Sequence, residues 1–396
     1  MNKPYNILIM KMRSMPSLRH LKGKRILLRL DLNVPVSGSK ITDDFKIISA
    51  IPTIRQLRSC PLIIISHRGE PKTKAGKYTY QASYSLQPIV KKLQKYIGGN
   101  IFISKGSWSL LKKQAQELKP GDIMVVENLR FWPGEVQNDK NFAKELAALA
   151  DMYINDAFAV SHRTHASVAA ITKYIPSYAG PLLRQEIVNL TKVTKQRSLV
   201  VILGGAKISS KLPLIQKLLP RSSAIIMGGG LANTILKVRG YSIGASLYDT
   251  KSLVAAKRLT SEKIILPIDV VVQSGKKIFT KSITQVGTKE KIFDIGPETV
   301  SHFSSIISKA KTIIWNGPLG LFENKKFQNG TKQIIISIQK MQKKNIFTLA
   351  GGGETVEAIR YLKAQSSFTW VSTGGGASLA FLSGEMMPGL QGLGDT

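Results

Sequence analysis

The chain has 396 residues, 57 Lys and Arg against 24 Asp and Glu, and a formal net charge of +33. Its 43% hydrophobic and 20% charged content excludes a disordered tail, a collagen-like repeat and a disulfide-rich mini-domain. The single cysteine, Cys60, excludes an internal disulfide and a cysteine-cluster metal site, and no apolar run reaches the ~20 residues that span a bilayer.

Residues 1–15 are set aside from the fold. The apolar run 7–10 is short, Lys11 breaks it, and no small-residue cleavage pattern follows. Met10, Met12 and Met15 are candidate starts. Runs rich in Ile and Val then occur at 25–34, 61–67, 101–104, 123–128 and 152–158. A second series occupies 199–205, 224–230, 264–272, 312–318, 346–352 and 368–375. Segments of helical spacing separate them. Continuous apolar runs suit parallel strands covered on both faces, and their alternation with helices predicts βαβ units. The expected fold is α/β: two doubly wound, Rossmann-like parallel-sheet domains joined by a hinge helix, with a central cleft.

The boundary is expected at 175–180, where Ile-Pro-Ser-Tyr-Ala-Gly reads as a turn. Pro181 suits the first turn of a connecting helix, with Leu182, Ile187, Leu190 and Val193 at near-helical spacing. The predicted domains are therefore 1–180 and 181–379.

In open parallel sheets, ligands bind beyond the carboxyl ends of the strands. In the first half those ends read Arg29-Leu-Asp31-Leu-Asn33, Ser66-His67-Arg68-Gly69, Glu127-Asn128-Leu129-Arg130 and Asn155-Asp156, followed by His162-Arg163-Thr164-His165. Clustered arginines and histidines favour a small, multiply charged anion. In the second half the ends are Gly204-Gly205-Ala206-Lys207, Gly228–Gly230, Asn316-Gly317-Pro318, Gly351–Gly353 and Gly374–Gly376. Glycine turns at helix starts let backbone N–H groups reach a phosphate, which suits a nucleotide. Neither GxxxxGK[ST] nor GxGxxG occurs.

Together these segments resemble phosphoglycerate kinase, from about Lys22 to the C-terminus. The motifs include Asp31-Leu-Asn33-Val-Pro35, Glu127-Asn-Leu-Arg130-Phe131, Leu203-Gly-Gly-Ala-Lys207, Trp315-Asn-Gly-Pro-Leu-Gly320 and Ser372-Thr-Gly-Gly-Gly-Ala-Ser378. The resemblance implies Mg²⁺-dependent phosphoryl transfer between 1,3-bisphosphoglycerate and ADP. The N-terminal domain would take 3-phosphoglycerate, the C-terminal domain ATP or ADP, and residues 380–396 would pack back on the N-terminal domain. It also implies a cytoplasmic monomer without an obligate protein partner.

Residue by residue, it places Asp31, Asn33, His67, Arg68, Gly69, Arg130 and Arg163 at 3-phosphoglycerate. His162 and His165 would contact substrate or support those that do. Lys207 would steady the moving phosphoryl, with Lys211 on the nucleotide phosphates and Gly375 and Gly376 supplying amides. Gly205, Gly229 and Asn316 would line the nucleotide, Glu323 would hold its ribose, and Gly352, Gly353, Glu354 and Thr355 would cover phosphates and metal.

Four positions depart from the family pattern. Lys46 and Glu70 stand where the family usually has arginine, Glu354 where it has Asp, and Ser210 where many members carry Asp. Lys46 keeps the charge but loses the planar fork, and one lost charge-assisted hydrogen bond of about 1.5–3 kcal/mol would slow turnover roughly ten- to hundred-fold. Glu70 would repel substrate unless Arg68 compensates it or pairs with it. The expected protein is an active kinase. The alternative is a weakened homologue that binds nucleic acid or an anionic surface. Against it, the charge is +16 over 1–183 and +17 over 184–396, and aromatics are only 7%. A nucleic-acid face concentrates charge and supplies stacking platforms.

Overall fold

The computed structural model describes residues 12–72 and 78–394. They form two compact units, one running up to Thr191 and resuming at Glu385, the other Lys192–Gly384.

The first unit contains β1 (Ile26–Arg29), β2 (Val36–Ser37), β3 (Lys40–Ile41), β4 (Leu62–Ile65), β5 (Ile101–Ser104), β6 (Ile123–Val126), β7 (Met152–Asn155) and β8 (Ser177–Ala179). Six of these make a parallel sheet in the order β5-β6-β4-β1-β7-β8, and β2 and β3 form an antiparallel ribbon. The central strands β1, β4 and β6 are buried at every position, because helices cover both faces. Each fully buried Ile or Leu there contributes about 1.5–3 kcal/mol. From β1 the chain moves toward β4, and from β7 toward β8. The direction reverses between β1 and β7, which opens a crevice at their carboxyl ends.

The second unit holds β9 (Leu199–Leu203), β10 (Ser222–Met227), β11 (Ile264–Ile265), β12 (Asp269–Ser274), β13 (Lys277–Ser282), β14 (Lys291–Ile295), β15 (Thr312–Asn316), β16 (Phe347–Ala350) and β17 (Trp370–Val371). Its parallel sheet runs β11-β10-β9-β15-β16-β17, with the reversal between β9 and β15. A separate antiparallel sheet, β13-β12-β14, has its own small core around Val270, Val272 and Ile283.

Both halves are therefore α/β with parallel sheets, as expected, but four local readings change. Residues 175–180 are not simply a turn: they contain β8, paired parallel to β7 at the sheet edge. Pro176 directly before this three-residue strand disguised it, and the edge tolerates proline. The run 264–272 is broken at Pro267 and serves two sheets, as β11 and the start of β12. In the helix Pro181–Lys195, Leu183 rather than Leu182 joins Ile187, Leu190 and Val193 in the interior. Residues 12–15 belong to the fold: Met12 is buried and bridges Gly394, and the Met15 amide donates to the Ala179 carbonyl at 3.2 Å. The run 7–10 lies outside the described residues.

Two buried contacts fix the ends of this unit. The Asp156 carboxylate accepts from Thr53 Oγ1 at 2.5 Å and from the Leu183 amide at 2.9 Å, so it caps the helix Pro181–Lys195. The Asn155 amide donates to the Gly389 carbonyl at 3.2 Å, and the Gly389 amide donates to Ser161 at 2.9 Å. These tie the C-terminal segment to β7.

Candidate active site

The crevice of the first unit collects cations on a buried polar scaffold. After β1, Asp31 turns the chain by accepting from the Asn33 amide at 3.1 Å, and its other carboxylate oxygen pairs with Lys46 Nζ at 2.5 Å. Lys46 projects from the first turn of the helix Phe45–Gln56. Asn33 Oδ1 accepts the Gly69 amide at 2.9 Å, which links the ends of β1 and β4. Glu127, 1% exposed, accepts from Ser85 Oγ and from the Leu86 and Asn128 amides at 2.7–2.9 Å. Its acceptor capacity is spent on loops, so it acts as scaffold.

Arg130 follows on the short helix Leu129–Phe131 and is buried. Its Nη1 donates to the Gly69 carbonyl at 2.6 Å, while its buried Nε has no hydrogen-bond partner among the described residues. Burial and the neighbouring Arg163 both disfavour its charge. Glu70 Oε1 lies 3.4 Å from Arg130 and 3.8 Å from Arg163. Beside them opens a cavity of about 360 Å³, walled by Trp132, Pro133 and Val136.

Arg68 does not take the part expected of it. Its guanidinium is buried and donates to the carbonyls of Ser83 and Ser85, so it neither pairs with Glu70 nor offsets its charge. His67 is also enclosed, with Nδ1 3.3 Å from Arg29. Burial first, then Arg29, Arg130, Lys46 and Arg163, hold its pKa well below the ordinary value. His165 is pushed down to about 4 by burial and by Arg130, Arg29, Arg163 and His162. His162 is lowered by burial and Arg163. The histidines are thus neutral near pH 7, and the positive charge of this crevice rests on Lys and Arg.

The second unit solves the same problem with backbone. At the reversal, the β9 and β15 turns touch. A Cβ on Gly204 would run into the Pro318 and Gly317 carbonyls, and one on Gly317 (φ +99°) into Gly204. Only glycine permits this approach. Asn316 donates to the Gly351 carbonyl at 2.7 Å, accepts from Lys211 Nζ, and so joins three turns. Thr355 Oγ1 accepts the Gly317 amide at 2.5 Å.

Three helices of eight or more residues start at this edge: Gly229–Val238, Gly353–Tyr361 and Gly376–Ser383. Their dipoles favour anions, although in the first of them the Gly229 and Leu231 amides already donate to the Leu319 and Gly205 carbonyls at 3.0 and 2.9 Å. A cavity of about 400 Å³ is lined here by Lys207, Lys211, Glu354, Thr355, Gly375 and Gly376, among others. Burial lowers the Lys211 pKa, and Glu354 partly restores it. Lys207 is exposed and has no ionic partner among the described residues. Gly205, Ala206 and Glu354 also line a second cavity of about 660 Å³, which contains Gly229 and Glu323. The two cavities therefore share a wall, one being bordered by lysines and glycines and the other by Tyr248, Phe293, Leu319 and Leu321. Their linings, apolar and aromatic in one and basic and glycine-rich in the other, suit a flat base and ribose carrying a phosphate chain.

Several of these wall residues were not read from the sequence. Tyr248 comes from a loop and Phe293 from β14, the antiparallel insert. Asp294, also lining the cavity, accepts the Gly330 and Ile295 amides at 2.7 and 2.9 Å and is raised to about 7 by burial. The signal available was the β-branched and aromatic content of Lys-Ile-Phe-Asp-Ile before Gly296-Pro297. Among the described residues no group of three His, Cys, Asp or Glu is placed to hold a metal. Mg²⁺ commonly uses one or two carboxylates with substrate phosphates and water, and Glu354 at the head of the helix Gly353–Tyr361 fits that donor set.

Comparison with known proteins bears on this geometry. The family model described as phosphoglycerate kinase matches residues 17–385. A phosphoglycerate kinase of Thermosipho africanus is 41% identical over 387 residues, covering 93% of this chain and 95% of that protein. One from Legionella pneumophila (strain Paris) is 41% identical over 385 residues, covering 93% and 94%. The solved phosphoglycerate kinase of Coxiella burnetii superposes with a TM-score of 0.79 at 35% identity, covering 94% of this chain and 96% of that one. That of Pyrococcus horikoshii gives 0.83 at 27% identity, covering 96% and 98%.

Proposed function

The chain belongs to the phosphoglycerate kinase family, and from that premise we propose that it transfers a phosphoryl group reversibly between 1,3-bisphosphoglycerate and ADP, giving 3-phosphoglycerate and ATP. The observation that carries the reading furthest is the pair of cavities at the β9/β15 reversal, which share Gly205, Ala206 and Glu354 and of which the smaller is lined by Lys207 and Lys211.

In this reading Asp31 and Asn33 orient the 3-phosphoglycerate hydroxyl and carboxylate, and Arg130 and Arg163 hold its phosphate. Arg130 Nε, buried and unpartnered, is a donor that such a phosphate would satisfy. In the second unit the nucleotide lies along the two cavities with Glu323 at its ribose. Lys211 and the amides of Gly375 and Gly376 meet its phosphates. Mg²⁺, when bound beside Glu354, neutralises charge on the phosphate chain. Lys207, whose side chain has no ionic partner among the described residues, follows the moving phosphoryl.

Transfer needs in-line positioning and charge neutralisation more than a general base, because one acceptor is a carboxylate and the other a phosphate. The neutral histidines are consistent with that. A phosphoryl group moves only a few ångströms, so the substrates must be brought together by closure of the two units, which also keeps water from the acyl phosphate. The same reading makes the protein a cytoplasmic monomer.

The test is steady-state formation of 1,3-bisphosphoglycerate from 3-phosphoglycerate and Mg·ATP, coupled to NADH oxidation. The parent turns over, Lys207→Ala loses at least ~100-fold in kcat, and Lys46→Arg retains or gains activity. A parent without turnover, not rescued by Lys46→Arg with Glu70→Arg, would remove the reading.

A further inference from the structure

Glu70 is the one carboxylate placed against the arginines of the first unit's crevice among the described ion pairs. A single oxygen, Oε1, faces both Arg130 and Arg163, at 3.4 and 3.8 Å. The side chain is otherwise in solvent, 80% exposed, and it stands on the lip of the 360 Å³ cavity beside them. Gly69, immediately before it, has φ +60°, donates its amide to Asn33 Oδ1 and accepts Arg130 Nη1 on its carbonyl. The backbone is thus fixed while the carboxylate is free to swing. Its geometry is that of an anion bound between two guanidinium groups.

We propose that Glu70 is a tethered competitor: it occupies the Arg130–Arg163 pair in the empty enzyme and must lift away before any phosphate binds there. This rests on the assignment of those arginines to the substrate phosphate. A chain of charge +33 draws dissolved anions to its surface. A carboxylate held beside the pair has a local concentration in the millimolar range or above, so it screens the site against weak, singly attached anions. 3-Phosphoglycerate overcomes it because contacts at its other end add to the phosphate contacts. Because the competitor acts before binding, it reduces the affinity of every anion for this pair by one common factor, the fraction of time the arginines are free. Exposed ion pairs of this kind are weak, so the factor is about two- to six-fold.

The experiment is calorimetric titration of parent, Glu70→Gln and Glu70→Asp with 3-phosphoglycerate and, separately, with sulfate. Glu117→Gln, an exposed carboxylate at the end of the helix Trp108–Glu117 and outside this cavity, controls for loss of net negative charge. Glu70→Gln tightens both ligands by the same factor of about two to six, Glu117→Gln changes neither, and Glu70→Asp stays near the parent. In turnover, Glu70→Gln lowers KM for 3-phosphoglycerate and leaves KM for ATP unchanged. Equal affinities in parent and Glu70→Gln, or an equal gain in Glu117→Gln, overturns the proposal. If sulfate responds but 3-phosphoglycerate binds to no variant, the competitor stands and the substrate assignment fails.

Discussion

The two units place a site at the same location, the carboxyl edge of a parallel sheet where strand direction reverses, yet they furnish it differently. In the first, charged side chains reach in: Lys46, Arg130 and Arg163, supported by buried Glu127 and Glu135. In the second, turns and helix starts approach, and side-chain charge is limited mainly to Lys207 and Lys211. A guanidinium fork grips a phosphate of fixed position. Amides at helix starts hold a phosphate chain at many points without a side chain to reorient. The contrast suits a small acid that must be oriented at both ends and a long nucleotide that must be cradled along its length. It also predicts that the two sites fail differently when mutated.

The largest difference is expected at glycines. Gly204→Ala and Gly317→Ala force a methyl group into backbone carbonyls, with no flexible neighbour to yield. Each is expected to destabilise the second unit by several kcal/mol or prevent its folding. Gly69→Ala in the first unit overlaps the Tyr84 ring, a half-buried side chain that must shift, and adds about 1–2 kcal/mol from its left-handed backbone. Chemical denaturation of the three variants measures this order, and equal losses would erase the contrast.

Next come the charged groups. Lys207→Ala leaves the unfolding free energy within ~0.5 kcal/mol of the parent, because the side chain is exposed and has no ionic partner among the described residues, while activity collapses. Arg130→Ala loses both, because its Nη1 also holds the Gly69 carbonyl. A folding defect in Lys207→Ala would contradict the separation of stability from charge in the second unit.

The units also contain oppositely signed pH-dependent groups. The pKa of His165 is about 4 in the fold against an ordinary value of 6.5, so between those values the unfolded chain binds the extra proton. Its contribution to stability is complete above pH 6.5 and falls as pH drops toward 4. The pKa of Asp294 is raised to about 7 from 3.8, so the folded state keeps its proton longer. Its contribution is complete below pH 3.8 and falls as pH rises through 7. His165→Gln should reduce the acid loss of stability, and Asp294→Asn the loss toward pH 7. Midpoints measured from pH 4 to 8 check both signs, and unchanged slopes would contradict the burial argument.

The smallest effect is expected at Glu354→Asp. Either carboxylate meets a cation through oxygen, so KM for Mg·ATP should shift only a few-fold, with no change in KM for 3-phosphoglycerate. A large change in the latter would break the assignment of Glu354 to the second unit's ligand.

Much of this was legible because parallel strands buried on both faces leave unbroken apolar runs, and the ligand edge follows directly from their ends. The glycine turns after β9, β15 and β16 were visible for that reason. The elements that escaped lack the signal. β8 is three residues behind a proline, and β13 is almost wholly exposed, so neither carries an apolar run. Side-chain direction was also out of reach. Arg68 and Arg130 look alike in sequence, but the first is consumed by the Ser83 and Ser85 carbonyls and the second is turned into the crevice. Two wall residues of the larger cavity in the second unit, Tyr248 from a loop and Phe293 from the antiparallel insert, reach the sheet edge only in the folded chain.

The most direct test of a division of labour between the units is a crossed titration. 3-Phosphoglycerate and Mg·ADP are each titrated into Arg130→Ala and Lys211→Ala. The account predicts that Arg130→Ala loses 3-phosphoglycerate and keeps Mg·ADP, and that Lys211→Ala shows the reverse, each retained ligand reporting an intact partner unit. Loss of Mg·ADP binding in Arg130→Ala, or of 3-phosphoglycerate in Lys211→Ala, would contradict it.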